Sequence, residues 1–93
     1  MKDAELDLWI AENMFDEVHY PVSEYTSDMN EAIKVLQQLK YLDLCWNNFL
    51  NTWTLEDDFN RWSEDENPAM AICKAAYSKK TGTVYEPKKD LKK

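Results

Sequence analysis

Apolar residues at helical spacing mark two segments in the first forty residues of the chain. One apolar stripe predicts a helix from about Asp3 to Phe15, and its members are Leu6, Trp9, Ile10 and Met14. A second helix is predicted to begin at Asp28, which fits a capping box with Glu31, and to end at Lys40. Its apolar positions are Met29, Ala32, Ile33, Leu36 and Leu39.

The apolar period changes to two from Tyr41 onward, which is typical of half-buried strands. Strands are predicted over Tyr41–Trp46, Phe49–Leu55 and Phe59–Ser63, with turns at Asn47-Asn48 and at Glu56-Asp57-Asp58. The run Glu64-Asp65-Glu66 then leads into a third helix. Asn67 is a suitable N-cap for that helix, and Pro68 suits its first position.

The predicted order α-α-β-β-β-α describes an α+β domain, in which a small antiparallel sheet packs with helices. We expect residues 1–80 to form one such domain, because ninety-three residues leave no room for two cores. Residues 81–93 are predicted to be an edge segment and a basic, flexible tail. Within them, Thr81–Tyr85 is a candidate fourth strand of the sheet.

Charge is distributed unevenly along the chain. Residues 1–78 carry sixteen acidic and five basic side chains, whereas residues 79–93 carry six lysines against Glu86 and Asp90. An anionic body repels nucleic acid and anionic membranes and attracts basic protein surfaces. The charge therefore predicts a protein partner with a basic surface, with no direct nucleic acid and no membrane partner.

Other features exclude several protein classes. Gly82 is the only glycine, which rules out a Gly-rich phosphate loop. The N-terminus shows no apolar segment of a secretory signal, and no stretch is long enough to span a membrane. Cys45 and Cys73 belong to different predicted elements, so we expect them to be reduced, buried and inert.

Two stretches of the chain carry a family resemblance. One is Tyr25–Met29 running into Ala32–Leu36, and the other is Asn67–Ala76 in the third helix. They resemble small phage and prophage proteins of the phage ABA (alpha–beta–alpha) sandwich domain type, and the likeness covers roughly residues 4–78. The resemblance implies a sandwich-like fold and a phage accessory protein in the cytoplasm of an infected bacterium. It implies no particular activity.

No complete catalytic or metal-binding motif is present. His19 is the only histidine and has Asp16 and Glu17 close by in sequence, but a loop histidine beside Tyr20 is the simpler interpretation. A hydrolase is therefore the least favoured class. We expect no enzyme activity, no catalytic residues, no metal and no cofactor.

An acidic and aromatic surface is the preferred binding site. Its predicted members are Glu56, Asp57, Asp58, Trp62, Glu64, Asp65 and Glu66. These carboxylates either mimic a nucleic-acid backbone in a basic groove or are simply a solvated turn beside a helix N-terminus. An alternative ligand site would use aromatic rings and one arginine to stack a planar molecule: Tyr25, Trp46, Trp53, Arg61 and Trp62.

Taken together, the sequence favours a phage-encoded accessory protein that inhibits a host antiviral defence component by binding it. A second hypothesis is a sponge that sequesters a nucleotide immune signal, with its cleft completed in a homo-oligomer. A third is a small structural or assembly protein of the phage.

Overall fold

The computed structural model describes residues 3–16, 18 and 20–85. These residues form three helices and three strands: α1 (Ala4–Met14), α2 (Met29–Leu36), β1 (Asp43–Asn47), β2 (Thr52–Glu56), β3 (Arg61–Asp65) and α3 (Pro68–Thr81). The strands make one antiparallel sheet in the order β1-β2-β3. The predicted α+β class and element order are confirmed. His19 and most of the predicted tail, residues 86–93, lie outside the described residues.

Each helix begins at a polar side chain that accepts a free backbone N–H group. Asp3, Asp28 and Asn67 are the N-caps of α1, α2 and α3, and Pro68 follows the last of them. Only one half of the predicted capping box forms: Asp28 caps α2, but the Glu31 side chain does not bind the backbone N–H of Asp28 in return. The backbone N–H of Asp28 already donates to the Glu24 carbonyl, and the Glu31 carboxylate pairs with Lys34.

Helix α2 ends at Leu36 and not at the predicted Lys40. The chain turns instead through residues 37–41, where Gln38 and Leu39 donate to carbonyls three residues earlier. Tyr41 completes this turn with a φ of 72°. The turn reverses the chain so that Leu39 and Leu42 are both buried before β1 begins.

All three strands begin later than the sequence predicted, and β1 begins at Asp43 and not at Tyr41. Phe49 and Phe59 lie in turns, since β2 begins at Thr52 and β3 at Arg61. In each turn a polar side chain binds the backbone that a strand would otherwise pair: Asn47 Oδ1 accepts from Phe49 and Leu50, and Asp57 Oδ1 accepts from Phe59 and Asn60. Glu64 and Asp65 belong to β3 and not to the approach to α3.

Helix α3 lies at the centre of the molecule. It packs on β2 and β3 with one side and on α1 and α2 with the other. Residues 69–73 are consecutively buried, and Ala75 and Ala76 further along are completely buried. The small side chains allow this close approach on both sides, so a single helix organises the core.

Cross-strand register decides which side chains of the sheet face α3. Leu44, Leu55 and Ser63 are paired across the three strands, and so are Trp46, Trp53 and Asp65. Leu55 is completely buried, and Ser63 Oγ donates to the carbonyl of Ala71 in α3. This row therefore lies on the helix side, while Cys45, Thr54 and Glu64 form a row on the opposite face.

Residues 82–85, the described part of the chain after α3, do not add a fourth strand. Gly82 ends the helix with a φ of 76°, which is favourable for glycine, and residues 82–85 are not in a strand. The Tyr85 hydroxyl instead donates to Asp3 Oδ2 at 2.6 Å, and its ring lies 5.0 Å from that of Tyr77. The predicted edge strand at Thr81–Tyr85 is therefore wrong, because α3 takes Thr81 and Tyr85 returns to the helices.

Candidate functional site

The two ends of the sheet differ in chemistry. One end of the sheet is where β1 begins, β2 ends and β3 begins. We call this end the acidic end, and its residues are Tyr41, Asp43, Glu56, Asp57, Asp58 and Phe59. The other end carries the turn between β1 and β2. We call this end the hairpin tip, and its residues are Trp46, Phe49, Leu50 and Trp53. The length of β3 separates the two ends by about 13 Å.

This geometry divides the predicted acidic surface. Glu56, Asp57 and Asp58 lie at the acidic end, whereas Asp65 pairs with Trp53 at the opposite end of β3, and Glu66 follows it. Six carboxylates that are close in sequence therefore do not form one patch. A strand between two acidic runs is enough to separate them.

Asp57 holds the turn at the acidic end. Its Oδ1 accepts from the backbone N–H groups of Phe59 (2.8 Å) and Asn60 (2.6 Å), and its Oδ2 accepts from the indole of Trp62 at 2.8 Å. The Trp62 hydrogen bond first, and then the two backbone hydrogen bonds, hold the pKa of Asp57 below its usual range. This carboxylate therefore stabilises the turn more than it faces a partner.

Trp62 is not the exposed aromatic anchor that the sequence predicted. Its indole donates to Asp57, its ring lies 4.8 Å from Lys79 Nζ, and the side chain is only half exposed. The exposed rings of the acidic end are Phe59 and Tyr41, each 90% exposed. The sequence analysis included neither ring in the acidic surface, because it placed both in strands.

The second acidic run is partly used within the fold. Asp65 accepts from the backbone of Asn67 and forms an ion pair with Lys74 at 2.8 Å. Glu64 lies 3.7 Å from Arg61 across exposed surface, where such a pair contributes little. Glu66 is exposed. These contacts make Asp65 a structural residue near α3.

The residues of the alternative ligand site do not converge. Tyr25 is buried and stacks on Phe15 at 5.3 Å, so it belongs to the core. Trp46 and Trp53 contact each other edge to face at 5.4 Å at the hairpin tip. Arg61 and Trp62 lie together near the acidic end. The set of five therefore falls in three places within one chain.

Arg61 and Trp62 do line one shallow depression. Its volume is about 290 Å³, and Ser78, Lys74 and Tyr85 also contribute to its walls. Lys74 is paired with Asp65 there. The volume is at the lower limit of ordinary small-molecule sites, about 300 to 1,000 Å³, so it would hold at most a small part of a nucleotide.

Neither cysteine is in a disulfide, but they differ in exposure. Cys73 is completely buried in α3, and burial raises the pKa of its thiol strongly. Cys45 is half exposed on the outer face of the sheet, which corrects the prediction that both are buried. Local desolvation, followed by the charges of Glu56 and Asp43, raises its pKa as well.

Two kinds of feature are absent from the described residues. No group of three or more histidine, cysteine or carboxylate side chains is placed there to hold a metal ion. Among the same residues, no helix has the length and apolar character needed to cross a membrane.

Comparison with known proteins gives the family of the chain and no relative of known activity. No curated protein and no solved structure matches the chain. The family model of the phage ABA sandwich domain matches residues 3–77, a span that runs from the N-cap of α1 almost to the end of α3. It therefore includes all three described strands and most of the central helix, and the chain belongs to the phage ABA sandwich domain family.

Proposed function

We propose that this phage protein inhibits a host antiviral defence component by binding it, and that the acidic end is the surface that makes the contact. One observation carries the proposal: two rings that are 90% exposed, Tyr41 and Phe59, lie at the same end of the sheet as four carboxylates. Large exposed rings next to charged groups are the composition of a binding surface, in which aromatic side chains supply most of the energy.

The turn that presents Phe59 supports this role because it is held in place before binding. Asp57 accepts three hydrogen bonds from the turn and from Trp62, and the Asp57 backbone N–H donates to the carbonyl of Asn60. A turn fixed in this way loses little conformational entropy when its exposed ring enters a pocket on the partner. We therefore assign Asp57 a positioning role and Phe59 a contact role.

The charges around the rings indicate the chemistry of the partner. Asp43 and Asp58 are exposed, and Glu56 is half exposed with one oxygen accepting from Thr54. Lys40, Arg61 and Lys79 are nearby cations, so the four carboxylates still leave the acidic end net negative. A basic surface, such as a groove that normally binds nucleic acid, is complementary to it, and its attraction speeds association and weakens with salt.

The phage family supports the biological setting of this proposal. Because a defence component that acts on phage inside the bacterium is met there, we propose that the protein works in the host cytoplasm, by binding and without catalysis. The sponge hypothesis has less support, since its five residues lie apart and the depression beside Arg61 is small. A role in phage assembly would use the acidic end to bind another phage protein.

The proposal is tested in bacterial strains that each carry one antiviral defence system. The protein is expressed in each strain, and the plating efficiency of a phage sensitive to that system is measured. We expect plating to recover in at least one strain, and Phe59→Ser and Asp58→Lys to abolish the recovery. The target is then purified, and its affinity for the protein is expected to fall at least tenfold between about 50 and about 500 mM NaCl.

Matched controls come from the opposite end of the sheet. Phe49→Ser removes an equally exposed ring, and Glu66→Lys makes the same change in charge as Asp58→Lys. Both controls should retain the recovery. If the controls and the acidic-end variants lose it equally, the acidic end is not the site. Recovery of an intact nucleotide from the denatured protein, without a protein target, would instead support the sponge.

A further inference from the structure

The hairpin formed by β1 and β2 has no charge over a long stretch of an otherwise highly charged chain. No residue from Leu44 to Leu55 is acidic or basic, although 31% of the chain is charged. Phe49 at the turn is 98% exposed, and Trp46 on β1 is 47% exposed. This uncharged region needs an explanation that the acidic end does not give.

Strand β1 is also an open edge of the sheet. Among the described residues the strand order is β1-β2-β3, so β1 pairs there on one side only, and its other side leaves backbone groups available to another strand. Proteins usually protect such an edge with lysine, proline or a bulge. Between Asp43 and Asn47 the sequence is Leu-Cys-Trp, and the regular pairing with β2 shows no bulge.

The other edge, β3, has that protection. It carries Arg61, Glu64 and Asp65, and its pairing with β2 is shifted by a bulge. Lys74 Nζ donates to the Glu64 carbonyl at 3.4 Å and forms an ion pair with Asp65 Oδ2 at 2.8 Å. Polar groups of this edge are therefore already bonded within the chain. The contrast between the two edges makes β1 the one open to pairing.

The helix layer leaves the apolar side chains of β1 incompletely covered. Helix α3 packs on β2 and β3, while Leu44 remains partly exposed and Trp46 about half exposed on the side that faces the helices. An added strand at this edge would place its own side chains beside both residues. The edge therefore offers backbone pairing and burial of apolar surface together.

We propose that β1 pairs antiparallel with β1 of a second copy of this chain, centred on Cys45, to form one continuous sheet of six strands. In this register Leu44 lies opposite Trp46 of the second copy, and Asp43 lies opposite Asn47. Apolar side chains thus meet apolar ones, and the only charged residue of the strand meets a neutral amide. The edge is complementary to itself.

The charge of the protein favours self-association through the β1 edge over self-association through other parts of the surface. Two copies with a net charge of −7 repel each other, so self-association is least opposed where the surface is uncharged. The hairpin is such a surface. Salt screens the remaining repulsion, so the dimer should strengthen with salt, whereas the binding proposed for the acidic end should weaken.

Sedimentation equilibrium of the purified chain tests the register. Because a five-residue edge makes a small interface, the protein is measured from about 5 to about 500 µM. We expect a dimer whose dissociation constant rises about tenfold in Cys45→Glu, and also in Cys45→Lys, since like charges then face each other across the two-fold axis. An equimolar mixture of the two variants should restore association, because Glu then faces Lys.

A second measurement uses the cysteine itself. Antiparallel partners have Cα atoms about 4.5–5.5 Å apart, a separation that a disulfide can span. Mild oxidation should therefore link two copies through Cys45, and Cys45→Ser should prevent the link while leaving the dimer intact. Cys73 is completely buried and gives the control variant Cys73→Ala, which should still cross-link.

Any one of three results would overturn the proposal. The first is a chain that remains monomeric at the highest concentration. The second is a dimer that Cys45→Glu and Cys45→Lys leave unchanged, and the third is a mixture of these variants that associates no better than either variant alone. Circular dichroism shows first that each variant is folded. The measurement uses this chain alone, so its outcome is independent of any host target and of the function proposed for the acidic end.

Discussion

Replacing Leu55 with alanine tests both the core and the register of the sheet. Leu55 is 0% exposed in the central strand, opposite Leu44 and Ser63. The substitution removes about three carbon atoms, worth about 2.4 kcal/mol of transfer free energy. The cavity left under α3 raises the expected loss to about 3–5 kcal/mol.

That loss is large for a domain of this size, which is stabilised by about 5–14 kcal/mol in total. Urea unfolding followed by tryptophan fluorescence gives the difference in the free energy of unfolding, with the slope expected to stay unchanged. In thermal unfolding, the midpoint should fall by about 12–30 °C. Leu50→Ala is the matched control: Leu50 is 41% exposed in the turn, and we expect a loss below about 1 kcal/mol.

Thr54→Val provides the comparison that would refute the register. Thr54 is also 0% exposed, but its Oγ1 donates to Glu56 Oε2 at 2.8 Å on the face away from α3. Loss of that hydrogen bond should cost about 1–2 kcal/mol. A slip of one residue would exchange the faces of the two side chains. If Thr54→Val costs more than Leu55→Ala, our assignment of the helix-facing row is wrong.

Three further substitutions test single features of the fold. Asn67→Ala removes the N-cap of α3 and should cost about 1–2 kcal/mol by thermal unfolding, while Asn67→Asp should retain most of the stability. Gly82→Ala should cost about 1–2 kcal/mol through its φ of 76° alone, because nothing lies within 4 Å of an added Cβ. The buried thiol of Cys73 keeps its proton in the folded chain but ionises near its usual pKa of 9.0 in the unfolded chain. The folded state then binds more protons, so the free energy of unfolding should fall as pH rises above about 9, and by less in Cys73→Ala.

Helix starts could be predicted from the sequence because their chemistry is local. Asp28 and Asn67 each bind a backbone N–H group two residues ahead, and Pro68 fits the first turn of α3 whatever the rest of the chain does. The end of α2 could not be predicted in this way. It depends on burying Leu39 and Leu42 together, which is a tertiary requirement.

The exposed rings were missed for a definable reason. Aromatic residues favour strands, so Phe49 and Phe59 were assigned to strands. In the structure, Asn47 and Asp57 bind the backbone around each ring and make turns instead. A polar residue two positions before an aromatic one, with further asparagine close by, was the available signal. For the same reason the sequence analysis chose Trp62 as the aromatic anchor. The contacts of Trp62 with Asp57 and Lys79 form only in the folded chain, so the sequence did not indicate them.

The two proposed surfaces have a geometric consequence when they are considered together. In an antiparallel pair of β1 strands, the start of one strand lies beside the end of the other. The two acidic ends therefore lie at opposite ends of the six-stranded sheet, which keeps the like-charged groups apart and leaves Phe59 exposed in each copy. Such a dimer would hold two target molecules, one at each end, and would bind an immobilised target more tightly than a monomer does. Cys45→Glu should lose this added affinity while keeping the affinity for a single target in solution. An equal loss in both assays would show that the β1 edge contacts the target directly.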